Sequence, residues 1–256
     1  MKTRIHIAVG PFSFVELDGT ENDLQKMKML YNELAEVPKQ WSQGVFEEIE
    51  TFTGEKVLYN AEKHEYMDLD GNVLLSGSQY AKANSKAFAS NIVLFKEAKR
   101  LGVDKELIKK FWSDKGKLSS DFGTSIHELL ELWFRYGKTA YWSYPKHNLL
   151  SEVLHSFPLK DDARTPYPEV VISNISKGIV GTTDLLFEDE EKQIEIIDYK
   201  IISKSAIKED IEKYTHQMNF YREILESSGK VVSGMKLCVW SGEWEMIEIE
   251  RIEVKI

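Results

Sequence analysis

The stretch Gln193–Ile202, QIEIIDYKII, constrains this chain more than any other. Its apolar run reads as a buried β-strand, and a strand repeats every two residues. Asp198 and Lys200 therefore share a face with Ile194 and Ile196, while Ile197, Tyr199 and Ile201 line the other. Ionised groups inside so apolar a run are costly unless partners or a cation match them. The strand alone leaves two readings open: an ion pair that only serves the core, or a polar site built into it.

The rest of the composition narrows the classes. A chain of 256 residues with 42% hydrophobic content and six Trp can bury a real core, as one large domain or one domain with a small extension. The single cysteine, Cys238, excludes an intramolecular disulfide and any cysteine-based metal cluster, and fits a reducing cytoplasm. There is no apolar run of the roughly 18 residues that a membrane span needs. The opening MKTRIHIAVG is too short in apolar residues for a signal peptide. The expectation is a cytoplasmic protein, bacterial or in a phage-infected host, with no membrane contact.

The net charge of −9 argues against coating nucleic acid by bulk electrostatics, but not against a local basic groove. From Lys82 to Lys117 there are ten Lys/Arg against four Asp/Glu, a net of +6 that leaves −15 on the remainder. Phe88, Phe95, Phe111 and Trp112 are interleaved with these cations. Such a mixture suits a nucleic-acid strand, phosphates on the cations and bases on the rings. It equally suits a helical pair with a solvated basic face. Lys109, Lys110, Trp112, Lys115 and Lys117 are the candidate contacts.

Residues 4–17 read as one or two strands broken at Gly10-Pro11. Asp18-Gly19 reads as a turn, and Glu21–Glu36 as a helix capped by Thr20 and ended by Pro38. Strands are expected at Val57–Tyr59, Glu65–Leu69 and Val73–Leu75, with a hairpin turn at Asp70-Gly71-Asn72. The turn superficially resembles a calcium loop but lacks its later acidic ligands. Helices are expected over 78–100 and 103–113. A further helix over 122–134 is expected to start at Gly123 with Thr124 or Ser125 as cap, carrying Ile126, Leu129, Leu130 and Trp133 as its apolar stripe. His127 and Glu131, four apart, share a face beside that stripe. A histidine there is either packed core or a ligand. Residues 137–166 read as a long irregular connection. Strands follow at Glu169–Ser173, Gly178–Phe187 and Gln193–Ile202. A helix follows at Lys208–Ser228, then strands at Met235–Trp240 and Glu245–Val254.

The short polar turn at Glu188–Glu191 makes strands two and three of this series an antiparallel hairpin, which brings Asp184 beside Asp198. Two carboxylates in a low-dielectric site repel, and a divalent cation relieves that repulsion. Oxygen ligands suit Mg²⁺ or Mn²⁺. With Lys200 two residues on, this is equipment for phosphodiester hydrolysis.

The ordered motifs are Gly123-x-x-x-His127, Gly181-Thr-Thr-Asp184, Asp198-Tyr199-Lys200 and Gln217-x-x-x-Tyr221. Together they resemble the PD-(D/E)XK nuclease superfamily, in its RecB-like exonuclease branch and as a phage-type stand-alone enzyme. The resemblance covers about residues 120–240. It implies a restriction-endonuclease-like α/β fold, an α-β-β-β-α-β core with a mixed central sheet. To this core the sequence adds an N-terminal β/α extension over 1–50 and a basic helical insertion at 82–117 inside the nuclease domain, 51–256. The resemblance implies metal ligation by His127, Asp184, Asp198 and the Tyr199 carbonyl. It gives Lys200 the role of orienting water or stabilising charge, and sets Gln217 and Tyr221 in the site as catalytic-helix residues. Glu169 and Glu131 are supporting candidates; for Glu169 a plain surface glutamate at a strand start is the other reading. Thr183 stands where much of the superfamily has proline. Several relatives carry an iron–sulfur cluster on four cysteines; this chain lacks those cysteines, and it also lacks a P-loop pattern.

The function expected is a Mg²⁺- or Mn²⁺-dependent DNA exonuclease, acting on single- or double-stranded ends in recombination or DNA processing. A recombination or single-strand-binding protein is the expected partner. The rivals are an endonuclease or RNase on the same fold, and a non-catalytic nucleic-acid-binding module. Polarity and oligomeric state are not written in the sequence.

Overall fold

A computed structural model describes residues 3–10, 13–19, 46–60, 63–85, 90–137, 148–202 and 204–255. The chain forms two compact units, 1–46 and 47–256. In the first, β1 (Thr3–Gly10) and β2 (Ser13–Gly19) pair antiparallel. Asp18 and Gly19 lie inside this ladder, opposite Arg4 and Thr3, and not in the expected turn. The helix expected over Glu21–Glu36 lies outside the described residues.

The second unit opens with a small sheet of β3 (Phe46–Glu50), β4 (Lys56–Asn60) and β5 (Glu65–Met67). The turn after β5 is fastened by Asp68, whose carboxylate accepts from the Asp70 and Asn72 amides and from the Asn72 side chain. That carboxylate is spent on the turn, which removes the calcium-loop resemblance. Val73 makes only an isolated bridge, and β6 is the short pair Leu75–Ser76. Ser76 caps α1 (Gly77–Ala83) through a capping box with Gln79. Asn84 ends that helix, so the expected continuous helix over 78–100 is interrupted; α2 spans Ser90–Leu101.

The largest departure from expectation is α3, one helix of 32 residues from Lys105 to Tyr136. Two shorter helices were expected here. Its N-cap is Asp104, which accepts from the Glu106 amide, and its end is Gly137, at φ 58°. Gly123 and Thr124 sit in mid-helix, and Ser125 bonds back to the Asp121 carbonyl instead of capping. Glycine and hydroxyl residues lower helix propensity without forbidding it, and the buried stripe on the C-terminal half carries the helix through them. The connection expected to be irregular contains α4 (Asn148–His155), whose Val153 and Leu154 are buried.

The main sheet has the order β11-β10-β9-β8-β6, and β7 pairs with β8 on its other flank. β7 (Thr165–Asn174) and β8 (Ile179–Glu188) are antiparallel, as are β8 and β9 (Gln193–Ile201). β9 and β10 (Val231–Trp240) are parallel, joined by the long helix α5 (Lys204–Ser227). β11 is shorter than expected, Trp244–Glu248. The order α3-β7-β8-β9-α5-β10 is thus the α-β-β-β-α-β succession, on a mixed sheet. β7 tolerates Pro166 and Pro168 because it is an edge strand.

The alternation in β9 sorts the core into two layers. Ile194 and Ile196 pack with α5 residues Met218, Phe220, Ile224 and Leu225. Ile197, Tyr199 and Ile201 pack with Ile126, Leu129 and Leu130 of α3 and with Phe157. Each face of the strand is covered by a helix, which is why the run is apolar on both sides.

Candidate active site

The site lies where the sheet forks. β8 pairs with β9 only from Leu185↔Ile197 to Glu188↔Ile194, and with β6 only at Ile179 and Val180. Between these ladders β8 carries Gly181 to Asp184 with neither strand bonded along that flank. Asp184 uses the gap: its Oδ2 accepts from the Tyr199 amide at 2.7 Å, just past the last ladder pair. The ring of Tyr221 enters from α5. A Cβ on Gly181 would stand 2.5 Å from that ring, and one on Gly77 would stand 2.4 Å from it. Both positions require glycine for this close approach. Gln217 Nε2 donates to the Tyr221 hydroxyl at 2.7 Å, fixing the two α5 residues as a unit.

Three side chains converge from three elements. His127 Nδ1 lies 3.5 Å from Glu169 Oε1 and 3.6 Å from Asp184 Oδ1. These three offer ligand atoms all within 4.8 Å of one another, a spacing that fits one divalent cation. Glu169 reaches the group from β7, where the flanking pairs Pro168↔Leu185 and Val170↔Thr183 set it across from Asp184. Its φ is 47°, a left-handed conformation that a non-glycine residue seldom adopts. Burial by itself would lower the His127 pKa, but Asp184 and Glu169 outweigh it and raise it to about 9.

Beside the trio sits a buried pair. Asp198 Oδ2 pairs with the Lys200 ammonium, which also donates to the Tyr199 carbonyl at 2.9 Å and lies 3.8 Å from Asp184 Oδ2. Burial first, then the Asp184 charge, push the Asp198 carboxyl up to about 6, against the pull of Lys200. Burial opposes the Lys200 charge, yet Asp198 and Asp184 together raise its pKa above the ordinary lysine value. Lys200 Nζ also lies 5.4 Å from the centroid of the Tyr214 ring. Thr183 is fully buried, and its hydroxyl reaches the Val170 carbonyl at 3.4 Å.

The structure therefore gathers His127, Glu169, Asp184, Asp198, Tyr199, Lys200, Gln217 and Tyr221 around one fork. Asp198 and the Tyr199 carbonyl face Lys200, while Glu169 stands with His127 and Asp184. Glu131 is turned to Arg135 at 2.8 Å. Lys109, Lys110, Lys115 and Lys117 are exposed on the N-terminal half of α3, and Trp112 is half-buried there. Lys109 and Lys117 stand about 27 and 15 Å before His127 along the helix, at ~1.5 Å per residue. Sequence reading missed Gly77, Tyr214 and Arg135 as site neighbours. Tyr214 was legible only as part of an apolar stripe, and nothing local marks Gly77.

The fork of the mixed sheet thus carries carboxylates, a histidine and a lysine together. Residues 136–246 match the family model of the PD-(D/E)XK nuclease superfamily. That match supports the superfamily, and with it the restriction-endonuclease-like fold. It spans Glu169, Asp184, Asp198, Lys200, Gln217 and Tyr221, and stops short of His127 and the basic helices. No curated protein matches. Among solved structures, the chain is similar to SSO0001 at 15% identity and a TM-score of 0.29, over 49% of this chain. The chain spans 63% of the length of that structure. Among the described residues, no helix is long and apolar enough to cross a membrane.

Proposed function

We propose that the chain is a Mg²⁺- or Mn²⁺-dependent deoxyribonuclease that degrades DNA from its ends in recombination or DNA processing. The observation that carries the cleavage chemistry is the trio His127, Glu169 and Asp184 set against the buried Asp198–Lys200 pair. His127, Glu169 and Asp184 would hold the cation, while Asp198 and the Tyr199 carbonyl hold Lys200 beside it. A divalent cation held there supplies Lewis acidity toward a phosphate and lowers the pKa of water. Lys200 supplies a fixed positive charge where negative charge grows on the phosphate. Asp198 holds that ammonium in place and Tyr214 covers it; Gln217 and Tyr221 wall the fork.

The exonuclease mode draws its support from the branch that the ordered motifs resemble. The substrate route draws on α2 and the outer half of α3, where Lys109, Lys110, Lys115 and Lys117 are exposed together with Phe95, Leu107, Phe111 and Leu118. In the reading proposed here they grip a strand on its way to the fork. The experiment compares linear with covalently closed circular DNA in the presence of Mn²⁺. Degradation of the linear form alone is expected; equal cleavage of the closed circle would replace the exonuclease with an endonuclease.

A further inference from the structure

His127, Glu131 and Arg135 follow one another at intervals of four on α3, so they form one row along the helix. The two ends of this row grip β7 at adjacent points. His127 meets the Glu169 side chain. Arg135 donates from Nη2 to the carbonyl of Pro168, at 3.2 Å, and from Nε to Glu131, at 2.8 Å. The Pro168 carbonyl and the Glu169 amide belong to one rigid peptide plane, so holding the carbonyl restricts rotation about the Glu169 N–Cα bond. That is the bond whose angle is left-handed, at 47°. In the β7–β8 ladder Pro168 pairs with Leu185 and Val170 with Thr183, with no pair at Glu169 between them, so the ladder alone does not fix the backbone at Glu169.

We propose that Arg135 is a positioning residue: it clamps the 168–169 peptide so that the Glu169 carboxylate is presented to His127 and Asp184. Glu131 is the strut that aims the guanidinium. The inference rests on reading the trio as a cation site. A purely structural role fits poorly, because the Arg135 side chain is 42% exposed and an ion pair so placed contributes little to stability.

The test is titration of the full chain with Mn²⁺ alone, followed by electron paramagnetic resonance of the free ion. The wild type is compared with Glu169→Gln, Arg135→Met and the double variant, with thermal unfolding of each. Each single change is expected to weaken Mn²⁺ binding about tenfold. The double variant is expected to bind within about twofold of Glu169→Gln, because the clamp acts only through Glu169. The unfolding midpoint of Arg135→Met should stay near wild type, and Arg135→Lys should restore part of the affinity. Should Arg135→Met not fold, Arg135→Lys takes its place in the same cycle. Wild-type affinity in the Arg135 variant, or losses that multiply in the double variant, would overturn the clamp while leaving the cation site intact. A wild type that takes up no Mn²⁺ would overturn the cation site itself.

Discussion

The two halves of α3 share a helix and little else. From Lys105 to Asp121 one residue, Ile108, is buried, and Leu107, Phe111 and Leu118 stand 60 to 72% exposed. From Phe122 to Tyr136, Ile126, Leu129 and Leu130 are buried and His127 joins the carboxylates. Backbone hydrogen bonding is the same in both halves. Tertiary burial makes the difference: it fixes the inner half in one rotation, and so aims His127. The outer half carries charge and apolar surface outward, which suits contact with something large and does not suit chemistry.

Substitutions can break this contrast, and the largest effect belongs to the site on β9 that the inner half reaches. Lys200→Ala should lower cleavage about a thousandfold or more, since it removes charge stabilisation in a water-poor site. Fold, by circular dichroism, and most DNA binding should be retained; unchanged cleavage would sink the assignment. Next comes stability. Leu130→Ala should cost about 2–5 kcal/mol in denaturant unfolding, whereas Leu118→Ala should stay within about 0.5 kcal/mol. Equal costs would mean that the outer half is also packed.

Gly181→Ala tests the fork itself. The added methyl would meet the Tyr221 ring at 2.5 Å, so a loss of about 1–3 kcal/mol is expected, together with impaired cleavage. Smaller again is Lys117→Ala, expected to weaken DNA binding modestly and to reduce the salt dependence of binding by about one unit of slope. The smallest effect concerns pH. The Arg164 hydrogen bond holds the Asp162 carboxyl below its ordinary range. A depressed folded-state pKa stabilises the protein above the unfolded aspartate value, and that contribution fades as pH falls through the folded value. The difference in melting temperature between wild type and Asp162→Asn should therefore be present at neutral pH and close in acid.

The strands that carry the candidate site were legible in the sequence because their signal is local. Alternation in Gln193–Ile201 gave the two faces, which the structure covers with α5 and α3. The polar turn at Glu188–Glu191 gave the hairpin that sets Asp184 beside the Tyr199 amide. The continuity of α3 was not legible, since Gly116, Gly123 and a run of serines look like a break. Burial at Ile126 and Leu130 overrides that propensity. Nor was α4, where prolines on either side of a short apolar helix hid its period. The roles of Gly77 and Arg135 depend on contacts with Tyr221 and Pro168, distant in sequence, so no window around either residue contains the information.

The proposed activity of this fork is cleavage of DNA with a divalent cation. It is tested most directly by incubating end-labelled linear single- and double-stranded DNA with the wild type and Asp184→Ala, in Mg²⁺, Mn²⁺ or EDTA. The prediction is shortening that requires the cation and disappears in the variant. A folded wild type that binds this DNA but cleaves none of it, or cleavage that persists in EDTA or in Asp184→Ala, would contradict it.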